Sequence, residues 1–156
     1  MGSDRLRADG DADEAERYLH AHIPISAAMG IHVVHAGLDA VELGAGLAPN
    51  VNHRSTVFGG SSVSVAILAA WTLAQLHVGA LAGTHRVVIA ECRMAYLEPI
   101  DRDFTARCVS PGAATWERFV RVLERRGRAQ VELAATVSSE GRRVARFTGV
   151  YAALRV

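Results

Sequence analysis

Between Ser61 and Val78 the chain carries apolar side chains on most sides of a helical wheel. A helix lying on a protein surface keeps a polar face, so a segment of this kind has to be enclosed by other structure. Beyond Thr84 the character of the chain changes. Val87 to Leu97, Phe104 to Val109, Thr115 to Leu123, Ala129 to Ser138 and Val144 to Leu154 are β-rich runs punctuated by turns that contain Gly or Pro. Strands joined by short connections favour an antiparallel sheet, and one central helix with many strands gives an α+β protein whose sheet wraps the helix. Upstream, Ile31 to His35 and Val41 to Leu47 flank Gly37-Leu38-Asp39 and read as a first hairpin. Glu14 to His22 is helix-compatible and ends before Pro24.

The 156 residues are enough for one core, burying roughly two thirds of the unfolded surface on folding. Residues 1–13, charged and rich in Asp and Arg, read as a disordered leader, and residues 14–156 as a single domain. Gly2-Ser3 has the look of an added remnant. The formal charge of +1 provides no field that would gather nucleic acid or an anionic membrane. Lysine is absent, so Schiff-base catalysis by lysine is excluded. Cys92 and Cys108 fit no zinc spacing, and His20, His22, His32, His35, His77 and His85 lack metal-ligand spacing, so no metal and no cofactor are implied. The start of the chain has no apolar signal region, and the run Val63 to Trp71 is shorter than the ~20 residues that cross a bilayer. A soluble, cytoplasmic protein is expected, and the Ala, Gly and Arg content points to a bacterial source.

Chemistry concentrates just ahead of the enclosed helix, in Asn52-His53-Arg54-Ser55-Thr56-Val57-Phe58-Gly59-Gly60-Ser61. Adjacent glycines let backbone approach a ligand closely, and the helix start behind them offers unpaired N–H groups. Together they can cradle a developing oxyanion. His53 is a residue type that exchanges protons near neutral pH, and the Asn52 amide has both donors and acceptors. That combination points to acyl chemistry.

These residues resemble the hot-dog-fold thioesterases, and among them the group named for the YiiD C-terminal domain. The resemblance rests on His22-Ile23-Pro24 with Met29-Gly30, on Leu47-Ala48-Pro49-Asn50 leading to Asn52-His53, on Thr56 to Ser61, and on Val88-Ile89-Ala90-Glu91 through Tyr96-Leu97-Glu98-Pro99. It spans roughly residues 18 to 154. It implies a hydrolase for acyl-coenzyme A or acyl-carrier-protein thioesters. It also implies a homodimer at minimum, with a tetramer as the further option, each site combining the Asn52 to Gly60 loop of one subunit with helix residues of its neighbour. The chain departs from many hot-dog thioesterases two turns into the helix. Where those carry Asp or Glu, Ile67 and Leu68 stand here.

The residues expected to do chemistry are therefore Asn52 and His53, as holder and base for the attacking water, Gly59 and Gly60 as oxyanion donors, and Ser64. Helical spacing puts Ser61, Ser64, Thr72 and Gln75 on one stripe with Leu68 between them. Ser or Thr in a buried helix also bonds back to a carbonyl one turn earlier, which is the expectation for Thr72. Phe58, Thr56 and Ser61 are expected to bound the substrate, and Arg54 and Arg86 to meet its phosphates, with the Arg142-Arg143 turn and the cluster of Arg125, Arg126 and Arg128 as further cationic candidates. Glu91 is read as a strand carboxylate paired with Arg86 or Arg93. The missing helix carboxylate leaves two alternatives open. One is dehydratase-like or hydratase-like chemistry on a carrier-bound acyl group, and the other is acyl-thioester binding without turnover.

Overall fold

The computed structural model describes Leu6 and residues 11–156. Residues 1–5 and 7–10, on which most of the expected leader falls, lie outside the described residues. Ala12 and Asp13 belong to a helix. Asp11 caps α1 (Ala12–His22), its carboxylate accepting from the N–H groups of Asp13 at 2.9 Å and Glu14 at 3.3 Å. Leu6 is buried in the hydrophobic core. A short second helix, α2 (Pro24–Ala28), comes next with its proline in the first turn, where a missing N–H costs nothing.

The expected first hairpin is β1 (His32–Ala36) with β2 (Ala40–Ala45). A single 3-10 turn at Ala48–Asn50 leads to the loop that precedes α3 (Gly59–Gly79). Then come β3 (His85–Tyr96), β4 (Phe104–Val109), α4 (Ala113–Arg126), β5 (Arg128–Ser139) and β6 (Arg142–Arg155). All six strands form one antiparallel sheet in the order β1-β2-β4-β5-β6-β3. This is the α+β arrangement expected, with the sheet curved against one long central helix.

One expected strand is a helix. Thr115 to Leu123 lies inside α4, where Trp116, Phe119 and Leu123 are buried and Glu117, Arg118, Arg121 and Glu124 are exposed. The apolar positions recur at three and four residues, a helical period, and that spacing outweighs the β propensity of Trp, Phe and Val. Gly112 and Gly127, both at positive φ, bracket the helix. The Trp116 indole donates to the Ser110 hydroxyl at 2.9 Å, and its ring stacks on His77 at a centroid distance of 3.8 Å, which docks α4 against the end of α3.

Small side chains let α3 lie close to the sheet. Ala66, Ala69, Ala70 and Ala74 are buried on it, together with Val65, Leu73 and Leu76. Gly149 faces it from β6 between Phe147 and Tyr151, where a Cβ would meet both rings at about 2.8 Å. Two polar ties fix the register of helix on sheet. Tyr151 donates its hydroxyl to the Ile67 carbonyl at 2.8 Å, and the Trp71 indole N–H donates to the Val87 carbonyl at 2.8 Å. By length and composition α3 would meet a bilayer-spanning criterion, but most of it is buried inside the fold.

β1 and β3 are the edges of the sheet. Among the described residues β3 pairs only with β6, through a bulge between Ile89 and Glu91, and its other side is open along all 12 residues. Val88 and Ile89 on it are 44% and 38% exposed. A long apolar edge of this kind is a pairing surface in search of a second strand.

Candidate functional site

The loop before α3 is held by its own side chains. Asn52 accepts through Oδ1 from the N–H of Arg54 at 2.8 Å and of Thr56 at 3.2 Å, and donates through Nδ2 to the Thr56 hydroxyl at 2.9 Å. Its backbone N–H reaches the Thr56 carbonyl at 2.7 Å, and Ser55 sits at φ 60 to make the reversal. This is an Asx-type turn, which Asn forms readily. Asn52 and Thr56 therefore form one unit, with both ends of the amide engaged inside the loop. His53 and Arg54 project from the same turn into solvent, and neither side chain has a hydrogen-bond partner among the described residues.

The loop is tied down on both sides of Phe58. Val57 N–H donates to the Ile100 carbonyl at 2.7 Å, and Phe58 N–H to the Asn50 carbonyl at 2.8 Å. Of the next N–H groups along the chain, those of Ser61 and Ser62 turn back to the Phe58 carbonyl at 2.9 and 3.3 Å. No side chain caps the helix. Gly59 and Gly60 are thus the two whose N–H groups remain without an acceptor among the described residues, in the first turn where the helix dipole favours negative charge.

The two glycines are not equally constrained. A Cβ on Gly60 would collide with the Phe58 ring, which folds over it while remaining 59% exposed. A Cβ on Gly59 would sit 3.4 Å from the Tyr96 ring, an ordinary contact. Tyr96, the last residue of β3, donates its hydroxyl to the Gly59 carbonyl at 2.9 Å and so pins the helix start to the sheet edge. Its phenol is raised above its ordinary value, chiefly by burial. Sequence reasoning did not single out Tyr96 as a site residue. The signal that was present is its place in the Tyr96-Leu97-Glu98-Pro99 block.

One turn into the helix, Ser64 donates its hydroxyl to the Gly60 carbonyl at 2.7 Å, and Thr72 makes the same back-bond to Leu68 at 2.7 Å. Ser64 also lines a cavity of about 260 Å³ between α2 and α3, walled by Ile23, Ile25, Met29, Ile31, Ile67 and Trp71. Ser26 contributes to the same wall. It is fully buried, and its hydroxyl has no partner among the described residues. Ser61 is half-buried in the first turn of the helix.

The structure brings together Asn52, Thr56, Phe58, Gly59, Gly60, Ser61 and Ser64. Arg86 it leaves apart. That side chain stands at the other end of β3, ten residues from Tyr96 and so about 33 Å along the strand. Glu91 pairs with neither Arg86 nor Arg93 among the described residues, while Glu98 pairs with Arg142 at 3.0 Å. Among the described residues no group of three His, Cys, Asp or Glu side chains is placed to hold a metal. What the arrangement can do is hold a carbonyl oxygen against backbone N–H groups with its apolar substituent in the α2–α3 cavity.

The family model described as "Putative thioesterase (yiiD_Cterm)" matches residues 12–155 of this chain. No curated protein matches the chain. Among solved structures, a protein with unknown function from Chlorobaculum tepidum TLS is 28% identical, with a TM-score of 0.85 over 93% of this chain and 94% of that one. A putative thioesterase from Shewanella oneidensis is 25% identical, with a TM-score of 0.79 over 92% of this chain and 96% of the other. A thioesterase from Haemophilus influenzae is 14% identical at a TM-score of 0.72, covering 93% of this chain and 91% of its own, a likeness of fold alone. The fold is the hot-dog fold.

Proposed function

Since the chain belongs to the family described as "Putative thioesterase (yiiD_Cterm)", we propose that it is an acyl-thioester hydrolase acting on acyl groups carried by coenzyme A or by an acyl carrier protein. Family membership and the thioesterase relatives support thioester hydrolysis. The observation that carries the finer reading is the pairing of free Gly59 and Gly60 N–H groups with an apolar cavity that begins one helical turn, about 5.4 Å, further along α3.

In this reading the thioester carbonyl oxygen rests against the Gly59 and Gly60 N–H groups, and the acyl chain enters the cavity past Ser64. Water attacks the carbonyl carbon, its proton passing to the His53 imidazole, and the tetrahedral oxyanion is stabilised by the two N–H groups and the helix N-terminus. The C–S bond then breaks, and the thiolate takes the proton back from His53. Asn52 and Thr56 shape the loop that presents His53. Phe58 flanks the entrance, and Arg54, exposed beside it, meets the phosphates of the thiol carrier. No cofactor takes part.

The open β3 edge supports a dimer in which two copies pair their β3 strands antiparallel. A two-fold axis at mid-strand carries one subunit's Arg86 toward the other's Ala95 and Tyr96, which would restore to the site the arginine that a single chain leaves apart. The protein is taken to work in the cytoplasm.

Thiol release tests the reading, measured over a panel of acyl-CoAs and acyl-carrier-protein thioesters with the wild type and His53→Ala. Hydrolysis by the wild type that falls about 10²-fold or more in the variant is expected. An enoyl product with the thioester intact, or saturable binding without thiol release, would refute it in favour of the non-hydrolytic alternatives.

A further inference from the structure

The face of the sheet turned away from α3 carries a hollow of about 460 Å³ across β3, β6 and β5. Its position follows from the alternation of the strands. Phe147, Gly149, Ala135 and Val137 are buried toward the helix, so Arg146, Thr148, Ala134 and Thr136 stand on the opposite face. The register sets Arg93 beside Thr148 and Ala134 in one row, and Ala95 beside Arg146 and Thr136 in the next. Ala95 and Ala134 keep the floor low between longer neighbours, and Arg143, near the start of β6, also lines the hollow.

The charge in this hollow is of one sign. Arg93 and Arg146 are diagonal neighbours across the β3–β6 pair, about 7–8 Å apart at the backbone and close enough for their guanidinium groups to converge. Neither they nor Arg143 has a hydrogen-bond or ion-pair partner among the described residues, and no carboxylate lines the hollow. Other arginines of the sheet are matched, Arg107 by Glu42 at 2.9 Å and Arg142 by Glu98 at 3.0 Å. Glu91 and Glu132, the acidic residues next along the same face, stay outside it. Like charges gathered on a sheet without counter-charges are destabilising. Planar guanidinium forks, with the Thr136 and Thr148 hydroxyls among them, match the oxygens of phosphate groups.

We propose that this hollow binds the diphosphate group of a small molecule, Arg93, Arg143 and Arg146 holding the phosphate oxygens and the two threonine hydroxyls donating to them. One phosphate carries about −1.5 to −2 at pH 7, which two arginines neutralise, so the third calls for a second phosphate. The hollow lies across the sheet from α3 and its Gly59 and Gly60 N–H groups, and the proposal stands whether or not the hydrolase reading does. Two carriers of a diphosphate fit this chemistry, a free nucleoside diphosphate and coenzyme A itself, and the experiment separates them.

Titration calorimetry with inorganic pyrophosphate compares the wild type, Arg93→Gln/Arg146→Gln and, as a control of equal charge, Arg121→Gln/Arg125→Gln on the exposed face of α4. The expected result is saturable binding by the wild type and the α4 control that weakens at least about 10-fold in Arg93→Gln/Arg146→Gln. Pyrophosphate should raise the melting temperature of the first two proteins and not of the third. Absence of saturable binding by the wild type, equal affinity in all three proteins, or equal weakening in the two variants overturns the proposal. ADP, titrated in the same way and added to thiol-release assays of the wild type, identifies the carrier. Inhibition competitive with acyl-CoA assigns the hollow to the diphosphate of coenzyme A, and binding without competition assigns it to a free nucleotide. If no thioester is cleaved, the hydrolase reading fails separately, and the pyrophosphate titrations decide this proposal alone.

Discussion

Gly59→Pro would remove one of the two N–H groups proposed to hold the oxyanion while sparing the fold. Gly59 is the first helical residue of α3, the position at which proline is over-represented, and its N–H has no acceptor to lose among the described residues. Phe58 before it stands at φ −56 and ψ 130, the extended conformation that a following proline requires. The nearest neighbours to a Cβ at this position are ring atoms of Tyr96 at 3.4 Å, and the Tyr96 hydroxyl bond goes to the Gly59 carbonyl, which proline keeps. Stability should therefore rise by about 0.4–1 kcal/mol through the stiffer unfolded chain, or roughly 1–4 °C in Tm at this size. Loss of one preorganised donor costs about 2.7–4 kcal/mol of transition-state stabilisation, a fall of about 10²–10³ in kcat. Gly59→Ala is the control, since it adds a Cβ and keeps the N–H. The assay is steady-state thiol release with all three proteins, beside their thermal melts. A folded Gly59→Pro enzyme whose kcat lies within about 3-fold of Gly59→Ala would show that this N–H does not face the developing charge.

Asn52→Ala removes the organiser of the loop and leaves the N–H of Thr56 unpaired, so a loss of about 2 kcal/mol is expected, or roughly 4–8 °C in Tm. Asn52→Asp keeps both backbone acceptances and should rescue the melt and most of the activity; a variant as stable as wild type yet as inactive as Asn52→Ala would mean that the amide itself touches substrate. His77, stacked on Trp116, has its pKa lowered from 6.5 by burial, against a raising effect of its bond to the Leu38 carbonyl. With the folded value below the unfolded one, the unfolded chain takes up a proton first as pH falls below 6.5, so this stability is present above that pH and lost beneath it. Melts from pH 8 to pH 5 should show a shallower decline in His77→Phe than in the wild type, and parallel curves would contradict the assignment. Burial pushes the Cys108 thiol up to about 12, so a maleimide at pH 8 should label the native protein at the exposed Cys92 alone and reach Cys108 once the protein unfolds, with a second equivalent taken up by the native protein as the contrary result.

The parts of this molecule that are readable in its sequence are those whose cause is local. α3 announces itself because its apolar surface goes nearly all the way round, and only an enclosing sheet can cover such a helix. Most strands show as β-rich runs between turns for the same reason, and β4 falls on the residues expected. α4 reads as a strand because its Trp, Phe and Val residues favour strands one by one, whereas the spacing of Trp116, Phe119 and Leu123 favours a helix collectively. Its bracketing glycines, Gly112 and Gly127, are the signal that could have corrected that reading.

The site divides along the same line. Asn52 to Gly60 is legible as a loop entering a helix, but its amide looks free to meet substrate because nothing in the order of residues shows that Arg54 and Thr56 fold back onto it. Tyr96 is invisible as a site residue, since 37 positions separate it from the Gly59 carbonyl it holds, and only the closure of β3 against the start of α3 brings them together. That contact bears on the chemistry. A hydroxyl donating to the Gly59 carbonyl polarises that peptide group in the direction of the helix dipole and fixes the first turn against rotation. In the proposed hydrolase the geometry of the site thus depends on where the sheet edge ends as much as on the glycines, and Tyr96→Phe should lower kcat while leaving the loop and the α2–α3 cavity in place.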